Sequence, residues 1–458
     1  MPASYQFPAD FRFGVATASY QIEGAVAEGG RKPSVWDTFS QRPGGVRTGE
    51  TGAVACDHYH RFESDLDLMR DLGIRHYRCS IAWPRIIPDG RGAVNEAGVD
   101  FYKRLFDACL KRGITPHVTL FHWDSPQALE DRYGSWRSRE MASDFATYCG
   151  EVVKRLGDRV TDWMTINEIP CFAHMGYVLK PWVGMHAPGT VVKTQKEVWQ
   201  AVHHACLAHG MGVQAIRANT PKPCKVSIVD NLTSCVPWAE TEADIAAART
   251  AFELGWCNGA IIYPILTGDF SPLWKQVHAA DLPDVKDGDF AIIKQPLDGV
   301  GLNIYSAEYV RAADNAQGFQ KIDLPPGYPR LDMPWLNLVP DSVYWACRHV
   351  HETLRFQGET FISENGCAAQ DHRDENGEIK DLDRLLYLRE HLRQIHRATA
   401  EGYRMTGYFL WSFMDNFEWS WGYAKRFGIV WNDYETQTRV PKLSAKWYRE
   451  VIRQNRVV

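Results

Sequence analysis

What most limits the folds open to this chain is a recurring unit: an amphipathic helix, a glycine, then a short apolar and aromatic run. Phe62, Leu66, Met69 and Leu72 have helical spacing, Gly73 follows, and then comes His76-Tyr77-Arg78-Cys79-Ser80-Ile81-Ala82-Trp83. The unit recurs with Tyr102 to Leu110, Gly113 and Thr115 to Trp123; with Val343 to Leu354, Gly358 and Thr360 to Glu364; and with Leu385 to Ile395, Gly402 and Met405 to Trp411. Glycine after a helix accepts the left-handed conformation that ends it. The runs barely alternate between apolar and polar, as strands buried on both faces do. Further runs begin near Phe11, Val160, Lys225 and Val300. Strands that alternate with helices form parallel sheets. Eight of them, without an evident edge strand, predict an α/β fold of the (β/α)8 TIM-barrel type, as one domain over residues 1–458. A doubly wound open sheet is the alternative, but no G-x-G-x-x-G opens a helix after the first strand.

Composition narrows the functional classes. The net charge of −5 argues against a nucleic-acid or anionic-membrane partner, because both need a basic face. No apolar run approaches the length of a membrane span, and the first residues lack the basic and apolar regions of a signal peptide. The 11 Cys are odd in number and form no C-x2-C knuckle, against a zinc ribbon or a disulfide scaffold. A reduced, cytoplasmic protein is expected, and the Asn231-Leu232-Thr233 sequon is read as chance. The 17 Trp and 19 Tyr suit either a large core or a surface for sugar rings, whose C–H faces stack on aromatic faces.

In a barrel of this type, chemistry sits at the C-terminal strand ends. Those ends carry Gln21 and Glu23, Arg78, His122 and Trp123, Asn167 and Glu168, Asn303 and Tyr305, Glu364, and finally Trp411 with Asp415, Asn416, Glu418 and Trp419. Charging a carboxylate at a buried strand end is costly unless it is paired or used. Two such glutamates among Asn, His, Gln and Trp predict a polar pocket with aromatic walls, which is what a pyranose requires. Paired carboxylates also suit glycoside cleavage: one protonates the leaving oxygen while the other, ionised, attacks the anomeric carbon. Arg78 is the natural partner of the ionised one, and an apolar setting beside a second carboxylate raises the other.

These residues resemble glycoside hydrolase family 1, the β-glucosidase family, along essentially the whole chain. The resemblance rests on Phe11 to Gly24, Tyr77 to Arg85, Thr165-Ile166-Asn167-Glu168, Ile362-Ser363-Glu364-Asn365-Gly366, Trp411 to Trp419 and Pro441 to Ala445. It implies a retaining mechanism without cofactor or metal, with Glu168 as acid/base and Glu364 as nucleophile. Arg78 and Tyr305 would contact Glu364. Gln21, His122, Asn167, Glu418 and Trp419 would bind the sugar hydroxyls, with Trp123 and Asn303 beside them, and Trp411 would stack beneath the ring. Trp335 would be the aromatic platform on the leaving-group side. Relatives acting on 6-phosphosugars carry phosphate-binding Ser and Lys in place of the Glu418-Trp419 pair, and thioglucosidases carry Gln in place of the acid. Unphosphorylated O-β-glucosides are therefore the expected substrates, with galactosides and fucosides as neighbours and transglycosylation as a side activity of the same residues.

The chain departs from the family pattern beside the acid, where Ile169-Pro170 replaces Pro-Trp, and Trp182 in the following loop is a candidate for the lost aromatic surface. A sugar-binding barrel without catalysis is the competing reading, and it would be expected to lose one of the two glutamates. His203, His204, Cys206 and His209 could suggest a metal cluster, but helix packing is the expected role. Cys56 to His60 is read as a buried polar network leading into a helix, and the run Asp371 to Glu378 as a solvated loop near the entrance.

Overall fold

A computed structural model describes residues 5–181 and 185–458. The buried apolar runs form eight parallel strands: β1 (Arg12–Ala16), β2 (His76–Ser80), β3 (Thr115–Phe121), β4 (Asp162–Asn167), β5 (Lys225–Asp230), β6 (Gly299–Asn303), β7 (Glu359–Asn365) and β8 (Met405–Trp411). Each pairs with its neighbour in sequence, and β8 returns to β1, with Gly14 opposite Phe409 and Ala16 opposite Trp411. A sheet closed on itself has no edge strand to protect. Eight principal helices follow the strands in turn: α1 (His58–Asp71), α2 (Glu96–Lys111), α3 (Glu140–Leu156), α4 (Gln195–Asn219), α5 (Glu242–Leu254), α6 (Asp341–Arg348), α7 (Leu382–Ala400) and α8 (Leu443–Gln454). The fold is the expected (β/α)8 TIM barrel.

Local chemistry accounts for the element boundaries. α2 buries Val99, Tyr102, Leu105, Phe106 and Cys109, an apolar stripe at helical spacing. α4 starts at a capping box in which Thr194 and Glu197 bond each other's backbone N–H groups. Gly73, Gly113 and Gly402 have φ of 76°, 68° and 89°, as the helix–glycine–strand pattern predicts. Gly358 does not follow that reasoning. Arg355 (φ 56°) takes the left-handed conformation three residues earlier. Gly358 is needed for space, because a Cβ there would lie 2.3 Å from the Phe356 ring and 2.8 Å from the Asp298 carbonyl oxygen. β2 also stops earlier than expected, at Ser80. Trp83 opens a short helix and stacks on Tyr148 behind the sheet, with ring centroids 4.8 Å apart.

The two ends of the barrel differ in kind. At the N-terminal end His76 bonds His117 (3.0 Å), and Arg12 bonds Glu359 (2.9 Å). Burial, with the neighbouring His117, pushes His76 down to about 3. At the C-terminal end the ladders slip in register between Met164 and Asn167 on β4 and between Ile362 and Glu364 on β7. Such irregularities re-aim side chains, and both sit where a strand delivers its glutamate.

One expected surface loop is partly interior. Asp371 was expected in a solvated run, yet its side chain is buried between Arg384 (2.7 Å) and Lys442 (2.6 Å). Lys442 also binds Asp415 at 2.7 Å, so this network ties the loop after β7 to the segment after β8. The histidines of α4 have packing partners: His203 bonds Asp289 (2.8 Å), His204 the Trp136 carbonyl (3.0 Å) and His209 Thr165 (2.7 Å). His58 bonds Asp65 (2.8 Å), which also holds Arg439 (3.0 Å), a polar network at the start of α1. Among the described residues no helix is long and apolar enough to cross a membrane.

Candidate active site

The C-terminal ends of the strands open on a cavity of about 560 Å³. Of the residues expected at the site, His122, Trp123, Glu168, Asn303, Tyr305, Trp335, Glu364, Trp411, Glu418 and Trp419 line it. Gln21, Arg78 and Asn167 stand behind that wall, fully buried. Glu23 belongs elsewhere: it pairs with Arg85 (3.0 Å) and accepts from Tyr102 (2.6 Å).

Glu364, on β7, is held from two sides. Arg78 on β2 donates to Oε1 at 2.6 Å, and Tyr305 donates to Oε2 at 2.8 Å. The second arm of the Arg78 guanidinium donates to Asn167 Oδ1 at 2.6 Å, so one cation joins the ends of β4 and β7. After Glu364 the backbone runs against β8: a Cβ on Gly366 would lie 1.6 Å from the Trp411 carbonyl oxygen, so only glycine fits.

Glu168 follows β4 in the left-handed conformation (φ 49°), as do Trp123 (φ 73°) and Trp419 (φ 50°). Strained non-glycine residues concentrate at sites whose surroundings over-determine them. Glu168 meets neutral donors: Asn303 Nδ2 at 2.6 Å on Oε1 and the Cys171 thiol at 3.0 Å on Oε2. Asn303 is itself oriented, because Ser363 donates to its Oδ1 at 2.7 Å.

The two carboxyls thus have opposite electrostatic settings. Burial, and then the charge of Glu364, push Glu168 up to about 8. Burial raises Glu364 as well, but Arg78 in direct contact pulls it back. A carboxylate beside a cation ionises before one that has none, so Glu364 carries the charge and Glu168 keeps the proton near neutral pH. Glu418 is also pushed up to about 8, by burial and then by Glu364 and Glu168.

Beyond the carboxyls, polar atoms point inward from an aromatic frame. The Asn167 amide N–H can only donate, so His122 Nε2 (3.2 Å) accepts and Nδ1 carries the proton. His122 Nδ1, Gln21 Oε1 and Glu418 Oε2 are buried, and the Gln21 amide lies within hydrogen-bonding reach of the Glu418 carboxyl. His122 and Glu418 line the cavity and Gln21 backs Glu418, so the three form a set of hydrogen-bonding positions for a polyhydroxylated ligand. Gln21 is held by Asn416 and the Phe417 carbonyl, both at 2.9 Å. Asp415, between Lys442 and Arg426 (2.7 Å each), anchors that segment and through it Glu418. Trp411 and Trp419 lie nearly parallel to the His122 ring, at interplanar angles of 19° and 16°. Trp123 meets Trp419 at 4.5 Å and donates its indole N–H to the Asn167 carbonyl at 2.9 Å.

At the mouth Trp335 is 48% exposed and stands edge-on to Tyr305, with ring centroids 5.9 Å apart. Trp182 lies outside the described residues. Sequence reasoning missed Cys171, Asn231 and Trp256, which also line the cavity. Asn231 follows β5, the one strand whose C-terminal end had not been read for chemistry. Applying the same rule there would have found it. Trp256 comes from the loop after α5, where no local pattern points to a site.

Comparison with known proteins identifies the family and the fold. Residues 3–457 match the family model "Glycosyl hydrolase family 1". Beta-glucosidase A of Thermotoga maritima is 42% identical, over 98% of this chain and 98% of that protein. A bifunctional beta-D-glucosidase/beta-D-fucosidase of Bifidobacterium breve is 42% identical over 97% of this chain and 98% of its own. The solved structure of a Thermotoga maritima beta-glucosidase in complex with deoxynojirimycin superposes with a TM-score of 0.90 at 40% identity, covering 99% of this chain and 100% of that one.

Proposed function

Because this chain belongs to glycosyl hydrolase family 1, we propose that the cavity hydrolyses unphosphorylated β-D-glucosides, with β-D-fucosides and β-D-galactosides as neighbouring substrates. The chain is an O-glycosyl hydrolase that works with retention of configuration. Glu364, ionised on Arg78, attacks the anomeric carbon while Glu168 gives its proton to the leaving oxygen. Glu168, now a carboxylate, then takes a proton from water, which releases the sugar from Glu364. Loss of the Glu364 charge on forming the ester removes a cause of the raised Glu168 pKa, so the acid becomes a competent base for the second step. His122, Gln21 and Glu418 receive the sugar hydroxyls, Trp411 and Trp419 frame the ring, and Trp335 meets the leaving group. Glu418 offers a carboxyl where a 6-phosphate would need cations.

The observation that carries the reading is the contrast between the two strand-end glutamates, one on a guanidinium and the other on neutral donors. Both are present, which disfavours a non-catalytic sugar-binding barrel. The test follows the product anomer by NMR during hydrolysis of p-nitrophenyl β-glucoside and traps the intermediate with 2-deoxy-2-fluoro-glucosyl fluoride. β-Glucose should appear first, and the label should map to Glu364. Initial α-glucose, or a label elsewhere, would overturn the assignment.

A further inference from the structure

We propose that Cys171 is a positioning residue for the acid/base: its thiol orients the Glu168 carboxyl and governs how readily that carboxyl gives up its proton. This deepens the reading above and rests on Glu168 being the proton donor.

The geometry is local and specific. The chain turns immediately after Glu168, and the turn closes when the Cys171 N–H donates to the Glu168 carbonyl at 3.1 Å. Ile169-Pro170 fills the middle of the turn, the place where the sequence leaves the family pattern. The turn carries the Cys171 thiol back to the carboxyl, 3.0 Å from Oε2, on the edge opposite the Asn303 amide at Oε1. From its other side the thiol receives the Asn231 amide at 3.5 Å. The Glu168 carboxyl is thus gripped at both oxygens, and each donor is itself held, Asn303 by Ser363 and Cys171 by Asn231.

A thiol suits this place. It is a weak donor and a weak acceptor. It can donate to the carboxylate when Glu168 is ionised, yet it does not compete with the leaving oxygen for the proton when Glu168 is protonated. A hydroxyl would grip the carboxylate harder and hold it in the charged form, whereas a methyl would leave Oε2 without a donor. The charged or titratable groups facing the carboxyl are Glu364 from β7, Glu418 from the segment after β8, Asp230 from β5 and Tyr305 from the segment after β6. Those facing the thiol are Glu168, Asp230 and Cys257. Burial and these acidic neighbours push the Cys171 thiol well up, so it stays a neutral donor rather than a thiolate.

The test compares Cys171→Ala and Cys171→Ser with wild type, recording kcat/KM against pH for 2,4-dinitrophenyl β-glucoside and for cellobiose. The first leaving group needs little protonation and the second needs it fully. Cys171→Ala should move the basic limb of the cellobiose profile upward, and Cys171→Ser should move it downward, each by about half a pH unit, on the scale of one weak hydrogen bond to a charged group. Cys171→Ala should also lose several-fold more kcat/KM on cellobiose than on the dinitrophenyl glucoside. Basic limbs unmoved in both variants, or equal losses on the two substrates, would reduce Cys171 to packing and overturn the proposal. Glu168→Gln is measured alongside. If its loss is not selective for cellobiose, the acid/base reading itself fails. If its loss is selective while the Cys171 variants show nothing, only the thiol assignment fails. Unfolding midpoints of both variants separate a folding defect from either outcome.

Discussion

Replacing Arg78 with methionine tests the electrostatic core of the site. Arg78 is fully buried and makes two short charge-assisted bonds, to Glu364 and to Asn167, both at 2.6 Å. Bonds to charged groups contribute about 1.5–3 kcal/mol each, and breaking a buried ion pair from one side costs about 3–5 kcal/mol, because the partner charge is left uncompensated. Methionine keeps much of the volume and removes the charge. Burial then raises Glu364 without a cation to oppose it. A nucleophile must be ionised, so the acid limb of kcat/KM should move up by about two pH units, equivalent to about 3 kcal/mol. The rate on p-nitrophenyl β-glucoside should fall by up to about 100-fold at pH values below the wild-type acid limb, and by less as pH approaches neutrality. Part of the loss should return at high pH, where Glu364 ionises unaided. Arg78→Lys should restore the acid limb but only part of the rate, because an ammonium cannot bridge Glu364 and Asn167 in the same fixed fork. An acid limb unchanged in Arg78→Met, with a rate within threefold of wild type, would show that Arg78 does not hold Glu364 ionised.

Three further outcomes follow from the same geometry. Glu418 is pushed up to about 8, so the folded state holds a proton that the unfolded chain releases above about pH 4.5; its contribution to stability is complete at low pH and lost as pH rises through 8. Glu418→Gln should therefore unfold at the wild-type temperature at pH 5 and a few degrees higher at pH 8.5, while losing kcat/KM on glucosides, and a midpoint gap that shrinks with pH would contradict this. Gly366→Ala forces a Cβ to within 1.6 Å of the Trp411 carbonyl oxygen, so thermal unfolding should fall sharply, by more than about 3 kcal/mol in stability, as for other backbone clashes; wild-type stability would show that the β7–β8 approach is not as described. Trp335→Ala should raise KM for aryl glucosides by roughly tenfold, the scale of one lost aromatic contact, with little change in hydrolysis of the trapped glycosyl-enzyme; equal loss in both steps would remove Trp335 from the leaving-group side.

The barrel was legible because its causes are local and repeated. Helical apolar spacing and a doubly buried run are each written in a short window, and eight such runs leave few folds that bury them all. Most of the strand-end site residues were legible for a related reason: the topology places every C-terminal strand end on one face, so ordering the residues along the chain already groups them. Where this reasoning went wrong, the cause lay across the fold. Gly358 looks like a helix stop, but a residue from the loop before β6 decides that it must be glycine. Asp371 looks solvated until Arg384 and Lys442 close over it. Glu418 is a carboxyl like any other until its neighbours raise it.

Covalent order and side-chain periodicity suffice for the eight buried runs, the chemical types at the strand ends and hence the pair of glutamates. Residue types left open which glutamate meets the guanidinium; the family resemblance gave Arg78 to Glu364, the folded chain places it there, and folding alone sets a thiol and an amide on Glu168. Both are strand-end carboxyls in the same cavity. Their difference comes from Arg78, 286 residues from Glu364 along the chain, and from a turn that brings Cys171 back onto Glu168. Proton affinity is set by what lies within a few ångströms in space, and no window of sequence contains that information.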